Sequence, residues 1–293
     1  MKKFEEYRIN RLNEKIKGFK NPIPIIFFSP KNNQEINSVF IFVSGVGSTN
    51  NFAINMNYNF FDDKYLLTYE KAGHGENKNN PFKSYKKYVN ELALVIEFVK
   101  KKFKNKKIFL LGESWGSCLS TLYCYKNINK ISGAFLWNMP RIVLDPSKKP
   151  LSHKMIFGMK VIWTMLTNLP TYDRHPINST EKLSSNKILI KMNKIVAPTK
   201  SSTKIIISVW LSMRPSWKKL IKILKNNPKN FFIFQSKDDF FFDEKNWKKC
   251  SKLFPNNLFF LNEGMHILSF EEPQNLMLFE KIDNLLSDIS HEK

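Results

Sequence analysis

Short, continuous apolar runs alternate with amphipathic helix patterns along most of this 293-residue chain. The runs are rich in Phe, Ile and Val, a composition that strands have when both of their faces are covered and neither meets water. Seven candidate strands span residues 23–28, 38–44, 64–70, 107–112, 131–137, 230–236 and 257–263. Because such runs alternate with helices, the sequence predicts an α/β fold with a mostly parallel central sheet flanked by helices.

Two segments carry clear helix patterns, and a third region breaks the alternation. Residues 84–102 and 273–289 repeat apolar side chains at helical spacing, so each predicts a helix with one buried face. The region 140–228 contains several prolines and helix-like pieces but no pair of strong strand candidates. We therefore predict a core formed by residues 1–139 and 229–293, interrupted by a mainly helical insertion at 140–228.

The sequence GESWG at 112–116 has a serine between two glycines, directly after a predicted buried strand. An apolar helix pattern follows, so Ser114 would lie on a sharp strand-to-helix turn at the carboxyl edge of the sheet. Gly112 and Gly116 suit such a turn, because its strained backbone brings neighbouring segments too close for side chains. This context favours Ser114 as a nucleophile over a polar residue in an ordinary turn.

A serine nucleophile needs a histidine base, which in turn needs an acid to orient it. Of the five histidines, His266 is the one on the loop after the last predicted strand, where it can reach the same sheet edge. Asp238 and Asp239 follow the preceding strand. We prefer Asp239 as the acid, because the small Ser236 gives the chain room to turn it inward, and Asp238 is the second choice.

With these residues in the order Ser, Asp, His, the sequence resembles the α/β-hydrolase family, in particular its monoacylglycerol lipases, lysophospholipases and S33-type serine aminopeptidases. The resemblance covers residues 21–286 and implies an α/β-hydrolase fold, with the insertion at the position of that family's variable cap. IFVSGVGST at 41–49 is similar to the family's HGxG segment, with Ser44 in place of the histidine. The resemblance implies that the backbone N–H groups of Val46 and Trp115 form the oxyanion hole, a role that the change at Ser44 leaves intact.

TYEKAGHGEN at 68–77 is similar to the family's DxRGHGxS segment and keeps its glycine–histidine–glycine core. Glu70 stands where the family has aspartate, and Asn77 where it has serine. In that family the segment shapes the loop beside the active site. The resemblance therefore implies a structural rather than a catalytic role for His74, and the departures weaken assignment to any one subfamily.

Together, the residues and the resemblance predict a serine hydrolase that cleaves carboxylic esters through an acyl-enzyme, with no metal and no organic cofactor. Apolar residues at 155–166 of the insertion suit a fatty acyl chain, although core packing is the commoner reason for such a stripe. A lipid ester such as a monoacylglycerol or a lysophospholipid is the first choice of substrate. A small-ester carboxylesterase or an aminopeptidase on the same fold stays open, as does a non-catalytic binding protein, which usually lacks one triad member.

The formal net charge of +22 comes from lysines spread along the whole chain, together with abundant Asn, Ile and Phe. An A/T-rich coding sequence imposes this composition, and the sequence contains no recognisable nucleic-acid-binding motif, so we expect no nucleic-acid partner. The basic, amphipathic segment 216–227 could contact an anionic membrane surface transiently, although a solvated face is the favoured interpretation. The oligomeric state is left open by the sequence.

Cys118, Cys124 and Cys250 lack the spacing of a disulfide framework or a zinc site. Residues 1–19 begin with basic residues but contain no apolar core, so they predict no signal peptide. The most apolar long stretch, 155–169, is interrupted by a lysine and is too short to span a bilayer. We therefore expect a soluble, cytoplasmic protein.

Overall fold

One sheet lies at the centre of the molecule. The computed structural model describes residues 7–14, 16, 22–30, 36–46, 58–77, 80, 84–140, 203–226, 228–239, 244–264 and 274–291. Within these residues the sheet has eight strands. In chain order they are β1 (Tyr7–Glu14), β2 (Ile23–Pro30), β3 (Ser38–Val43), β4 (Tyr65–Tyr69), β5 (Lys107–Glu113), β6 (Gly133–Trp137), β7 (Phe231–Ser236) and β8 (Leu258–Leu261).

The order of strands across the sheet is β1-β2-β4-β3-β5-β6-β7-β8. β2 runs antiparallel to both of its neighbours, whereas every pairing from β4 through β3, β5, β6 and β7 to β8 is parallel. Parallel neighbours need crossover connections, which helices usually supply. The sheet is therefore mostly parallel, and the α/β fold class predicted from the sequence is confirmed.

The seven strands predicted from the sequence are all present, close to their expected bounds, and β1 is an addition. Its sequence YRINRLNE mixes charged and polar residues and has no apolar run, so composition does not predict a strand there. β1 pairs with β2 along its full length, from Tyr7 opposite Pro30 to Glu14 opposite Ile23. Backbone pairing with β2 along its full length accounts for this strand.

Five α-helices accompany the sheet in the described ranges, and two of them confirm the predicted helix patterns. They are α1 (Tyr85–Lys102), α2 (Trp115–Asn127), α3 (Thr203–Asn226), α4 (Glu244–Leu253) and α5 (Gln274–His291). Side chains of α1, α2, α3 and α4 join one hydrophobic core, and those of α5 join a second core. Across the same ranges, no helix combines the length and the apolarity that crossing a bilayer requires.

Both faces of the sheet are buried, as the alternation along β3 shows. Val39, Ile41 and Val43 belong to the core that contains α1 and α2. Phe40 and Phe42 point the other way and belong to the core that contains α5. A central strand in this environment is apolar at most positions, which is why the strands form nearly continuous apolar runs in the sequence.

Helix α3 lies in the region that the sequence assigns to the insertion, and it packs against α2 and α1. Its Leu220 and Leu224 are buried in the same core as those helices. The indole Nε1–H of Trp217 donates to the Pro140 carbonyl at 3.2 Å, which joins α3 to the chain just after β6. Residues 141–202 lie outside the described residues, so the bounds of the insertion stay a prediction.

Two leucines of α3 test whether this helix belongs to the folded core. Leu220 is fully buried, whereas Leu211 is 60% exposed. Leu220→Ala leaves a cavity, so we expect it to lower the free energy of unfolding by about 2–5 kcal/mol. Leu211→Ala, the matched control, should change it by less than about 0.5 kcal/mol. Urea denaturation followed by circular dichroism measures both values, and equal effects would contradict the packing of α3 on α2.

Candidate active site

The carboxyl ends of β3, β5 and β7 lie at one edge of the sheet, because these strands all run parallel. Each end is followed by a residue that the sequence marks as a candidate: Val46 after β3, Ser114 after β5 and Asp239 after β7. Trp115, the second oxyanion candidate, is the first residue of α2. The topology therefore brings these four candidates to the same edge of the sheet.

Ser114 occupies the turn between β5 and α2 with a backbone conformation that is rare outside glycine (φ 54°, ψ −121°). A non-glycine residue at positive φ is strained and stays there only if its surroundings enforce it. The Ser114 N–H donates to the Trp137 carbonyl at 3.0 Å, and the Ser114 carbonyl accepts from the Ser117 N–H at 3.0 Å. This strand-to-helix turn, residues 112–116, has the geometry predicted for GxSxG, and we call it the elbow.

Both glycines beside Ser114 lie in crowded surroundings, and glycine is required at position 116. A Cβ at Gly116 would lie 1.8 Å from the Val43 carbonyl oxygen, which is a backbone atom that cannot swing aside. A Cβ at Gly112 would lie 2.7 Å from Leu136 Cδ2. The crowding expected at the flanking glycines is confirmed, and it shows that α2 begins in direct contact with the end of β3.

The loop after β3 also approaches the serine. A Cβ at Gly45 would lie 3.2 Å from Ser114 Cβ and 3.7 Å from Ser114 Oγ, so the Gly45 backbone lies beside the hydroxyl. Residues 44–46 are therefore called the oxyanion loop, after their predicted role. The N–H of Trp115 lies in the first turn of α2, where N–H groups have no acceptor within the helix. Segments on both sides of Ser114 can thus supply backbone donors, and the roles of Val46 and Trp115 stay a prediction.

The Trp115 side chain connects the elbow to α3. The indole is fully buried, and its Nε1–H donates to Ser212 Oγ of α3 at 2.9 Å. The Tyr88 ring of α1 meets the indole edge-on, with the ring centroids 4.8 Å apart. A residue whose backbone lies next to the serine is therefore held in place by contacts from two other helices.

Asp238 and Asp239 differ in their surroundings. Asp239 is 5% exposed, and its Oδ2 accepts from Gln235 Nε2 at 2.9 Å. The Asp239 N–H donates to the Ser236 carbonyl at 3.4 Å, which closes a turn at the end of β7. Asp238 is exposed to solvent. A buried, hydrogen-bonded carboxylate has the fixed orientation that a triad acid requires.

Two residues that the sequence interpretation missed hold the Asp239 carboxylate in place. Asn138 follows β6 at a φ of 46°, and its Oδ1 accepts from the Ser236 N–H at 2.9 Å and from Gln235 Nε2 at 3.3 Å. Gln235 in turn contacts Asp239. The available signal was the polar Gln235 inside the otherwise apolar run FFIFQ, since a buried amide needs hydrogen-bond partners.

His266, the predicted base, lies outside the described residues, as do residues 265–270 around it. β8 ends at Leu261 and runs parallel to β7, so the chain leaves β8 at the same sheet edge. The role of His266 therefore stays a prediction. Among the residues that are described, no group of three or more His, Cys, Asp or Glu could hold a metal ion.

The loop after β4 buries a second histidine near the elbow. His74 is 1% exposed, and burial, together with the nearby charge of Lys71, lowers the pKa of His74 to about 3. The imidazole is therefore neutral near pH 7. Its Nδ1 lies 3.0 Å from the Ala72 carbonyl, which can only accept, so Nδ1 carries the proton and donates it to that bond. A buried, neutral ring that packs against Tyr88 and Trp115 fits the structural role expected for His74.

A protein-family model and several solved structures are similar to this chain. The family model, described as serine aminopeptidase, S33, matches residues 34–273, which is most of the chain. No sequence among the curated proteins matches it.

Three solved structures illustrate how widely the fold is shared. A monoglyceride lipase from Saccharomyces cerevisiae, solved with a substrate analogue, has 17% identity and a TM-score of 0.68 over 97% of this chain and 96% of its own. A carboxyl esterase from Bacillus coagulans has 14% identity and a TM-score of 0.66 over 96% and 98% of the two chains. A haloalkane dehalogenase from Bradyrhizobium elkani has 11% identity and a TM-score of 0.67 over 98% and 100%. At these identities the likeness shows the fold alone.

Gly116→Ala tests the contact between α2 and β3. The added methyl group would overlap the Val43 carbonyl, so the elbow would have to shift, and we expect the free energy of unfolding to fall by more than about 3 kcal/mol. Gly133→Ala in β6 is the control, because its Cβ would come no closer than 3.1 Å to another atom and should cost less. Urea denaturation compares the two variants. Equal stability of the two would contradict the close approach of α2 to β3.

Proposed function

Because the chain belongs to the serine aminopeptidase S33 family of α/β-hydrolases, we propose that it is a serine hydrolase that cleaves carboxylic esters, with Ser114 as the nucleophile. The observation that carries this proposal is the strained backbone of Ser114, which contacts from β3 and β6 enforce. Such strain costs stability and is typical of functional sites. The 9% exposed Ser114 lies beside the oxyanion loop, where an acyl carbonyl would need backbone donors.

In the proposed mechanism, His266 takes the proton from the Ser114 hydroxyl as the oxygen attacks the acyl carbonyl. The N–H groups of Val46 and Trp115 stabilise the negative charge that develops on the carbonyl oxygen. His266 then returns the proton to the leaving alcohol, and a water molecule activated by the same histidine hydrolyses the acyl-enzyme. Asp239 orients His266 and stabilises its charged form.

A lipid ester, such as a monoacylglycerol or a lysophospholipid, is the proposed substrate class. Support comes from the apolar composition of 155–166, which lies outside the described residues, and from a structural neighbour that is a monoglyceride lipase. A small ester is the alternative, since another neighbour is a carboxyl esterase. An aminopeptidase would need acidic groups to bind the substrate amine, and α3 contains basic residues but no acidic one.

Transient contact with an anionic membrane surface stays a prediction for the basic face of α3. Two of its lysines already have a partner, because Lys219 Nζ lies 3.8 Å and Lys222 Nζ 6.0 Å from the centroid of the Tyr125 ring on α2. Lys218 and Lys225 are exposed. Solvation of this face remains the simpler interpretation, as exposed lysines need no further partner.

Ser114→Ala tests the nucleophile. We expect the wild-type protein to react with a fluorophosphonate, with Ser114 Oγ bonding to phosphorus as fluoride leaves. We also expect it to release acyl groups from a panel of monoacylglycerols, lysophospholipids, short-chain esters and amino-acid amides. Ser114→Ala should abolish labelling and lower acyl release by at least about a thousandfold. Mass spectrometry and acyl-release assays measure the two effects.

Ser120→Ala is the matched control for this experiment. Ser120 is also in α2, it is fully buried, and its hydroxyl has no hydrogen-bond partner among the described residues. Its loss should leave labelling and turnover unchanged. The preferred member of the panel distinguishes a lipase from a small-ester esterase or an aminopeptidase. A wild-type protein that is neither labelled nor active would refute the proposal and favour a non-catalytic binding protein.

Separate alanine substitutions identify the acid. Asp239→Ala removes the buried carboxylate, so we expect turnover to fall by about four orders of magnitude while the protein stays folded. Asp238→Ala removes an exposed carboxylate and should leave turnover nearly unchanged. Acyl release and melting temperature are measured for both variants. The opposite order of activities would assign the acid to Asp238.

A further inference from the structure

Lys71 is a buried lysine next to the oxyanion loop. It follows β4 by two residues and is 1% exposed. Its Nζ donates to the Ser44 hydroxyl at 2.5 Å and to the Ser44 carbonyl at 3.1 Å. Lysine is almost never fully buried unless its charge is paired, so the surroundings of Lys71 have to compensate for its burial.

Carboxylates provide this compensation. Burial lowers the pKa of Lys71 to about 8, and Glu70, Glu91 and Glu113 each raise it in part. Burial also raises the pKa of Glu91 to about 7. His74, which also interacts with Lys71, is neutral. Lys71 is therefore charged at neutral pH and loses its charge within an accessible pH range.

The carboxylates are themselves attached to the scaffold of the site. Glu91 of α1 accepts from the Ala72 N–H at 3.2 Å. Glu113, the residue before the nucleophile, accepts from the Trp137 indole N–H at 2.8 Å. The charge of Lys71 therefore interacts with α1 and β5 while its hydrogen bonds hold the end of β3.

Ser44 is the first residue of the oxyanion loop, and its carbonyl contacts more than the lysine. A Cβ at Gly116 would lie 2.8 Å from the Ser44 carbonyl oxygen, so this oxygen also borders the first turn of α2. The peptide to which it belongs leads directly to Gly45, which lies beside Ser114. Rotation of this peptide would move Gly45, and with it the N–H of Val46.

We propose that Lys71 is a positioning residue for the oxyanion loop: its ammonium holds the carbonyl and the hydroxyl of Ser44, and thereby fixes Gly45 and Val46 beside the nucleophile. This inference rests on the proposed function, since a fixed oxyanion loop matters only if Ser114 attacks a carbonyl or a phosphonyl centre. A charged donor forms a hydrogen bond about twice as strong as a neutral one. Loss of the proton from Lys71 therefore loosens the loop.

The pH dependence separates this role from a purely structural one. The reactivity of Ser114 should fall as the pH rises through about 8, because Lys71 loses its charge. Stability should respond in the opposite direction. Since folding lowers the pKa of Lys71, its contribution to stability is fully present above the unfolded-state pKa and is lost as the pH falls through about 8. Alkaline loss of reactivity in a folded protein is the expected signature.

The test measures the rate constant for phosphonylation of Ser114 by a fluorophosphonate across this pH range. Lys71→Met should lower the rate constant at neutral pH by at least about tenfold, because the oxyanion loop is then loose at every pH. For the same reason, the rate constant of this variant should no longer fall as the pH rises. Lys130→Met is the control, since Lys130 is a half-exposed lysine paired with Glu97 at 3.1 Å, and it should behave as the wild type. Melting temperatures show which variants are folded at each pH.

If Lys71→Met does not fold, Ser44→Ala tests whether the charge of Lys71 acts through Ser44. It removes one acceptor of the ammonium, which lowers the pKa of Lys71, so the alkaline decrease should move to lower pH. The inference is overturned if the wild-type rate constant does not fall above pH 8, if Ser44→Ala leaves the pH profile unchanged, or if folded Lys71→Met reacts like the wild type. A wild type that is not phosphonylated at Ser114 would instead overturn the proposed function, and this inference with it.

Discussion

The candidate site depends on one steric constraint, which is that the backbone of α2 begins in direct contact with the end of β3. Only glycine at position 116 permits this contact, since any Cβ there would overlap the Val43 carbonyl. The contact holds Ser114 in a conformation that a serine would not adopt alone, and it brings the first turn of α2 beside the oxyanion loop. Without this contact, Ser114 would not be held in a strained conformation beside the oxyanion loop.

Most of the sheet can be predicted from the sequence, because strands buried on both faces have to be continuous apolar runs. The same argument fails for β1, because its sequence contains no apolar run although its backbone pairs with β2 along its full length. The elbow is predictable as well, since GxSxG after a buried strand and before an apolar helix fixes where Ser114 and Trp115 lie. The helix α3 follows less directly, because Pro215 within it interrupts the pattern.

The polar environment of the site is harder to predict than its position. The difference between Asp238 and Asp239 depends on Gln235 and Asn138, which come from different strands and meet only in the folded chain. Lys71 is one lysine among many in the sequence, and no local pattern reveals its burial against Ser44. The role of a polar residue depends on its partners, and here Asn138 and Ser44 are distant in the chain from the residues that they contact.

The described chain on either side of segment 141–202 is tied to the core. Pro140 accepts a hydrogen bond from Trp217, and Ser212 accepts one from Trp115 of the elbow. All four of these residues lie outside the segment, so a substitution within it leaves the anchoring side chains unchanged. The sequence of the segment can therefore vary while the contacts that support the elbow are kept.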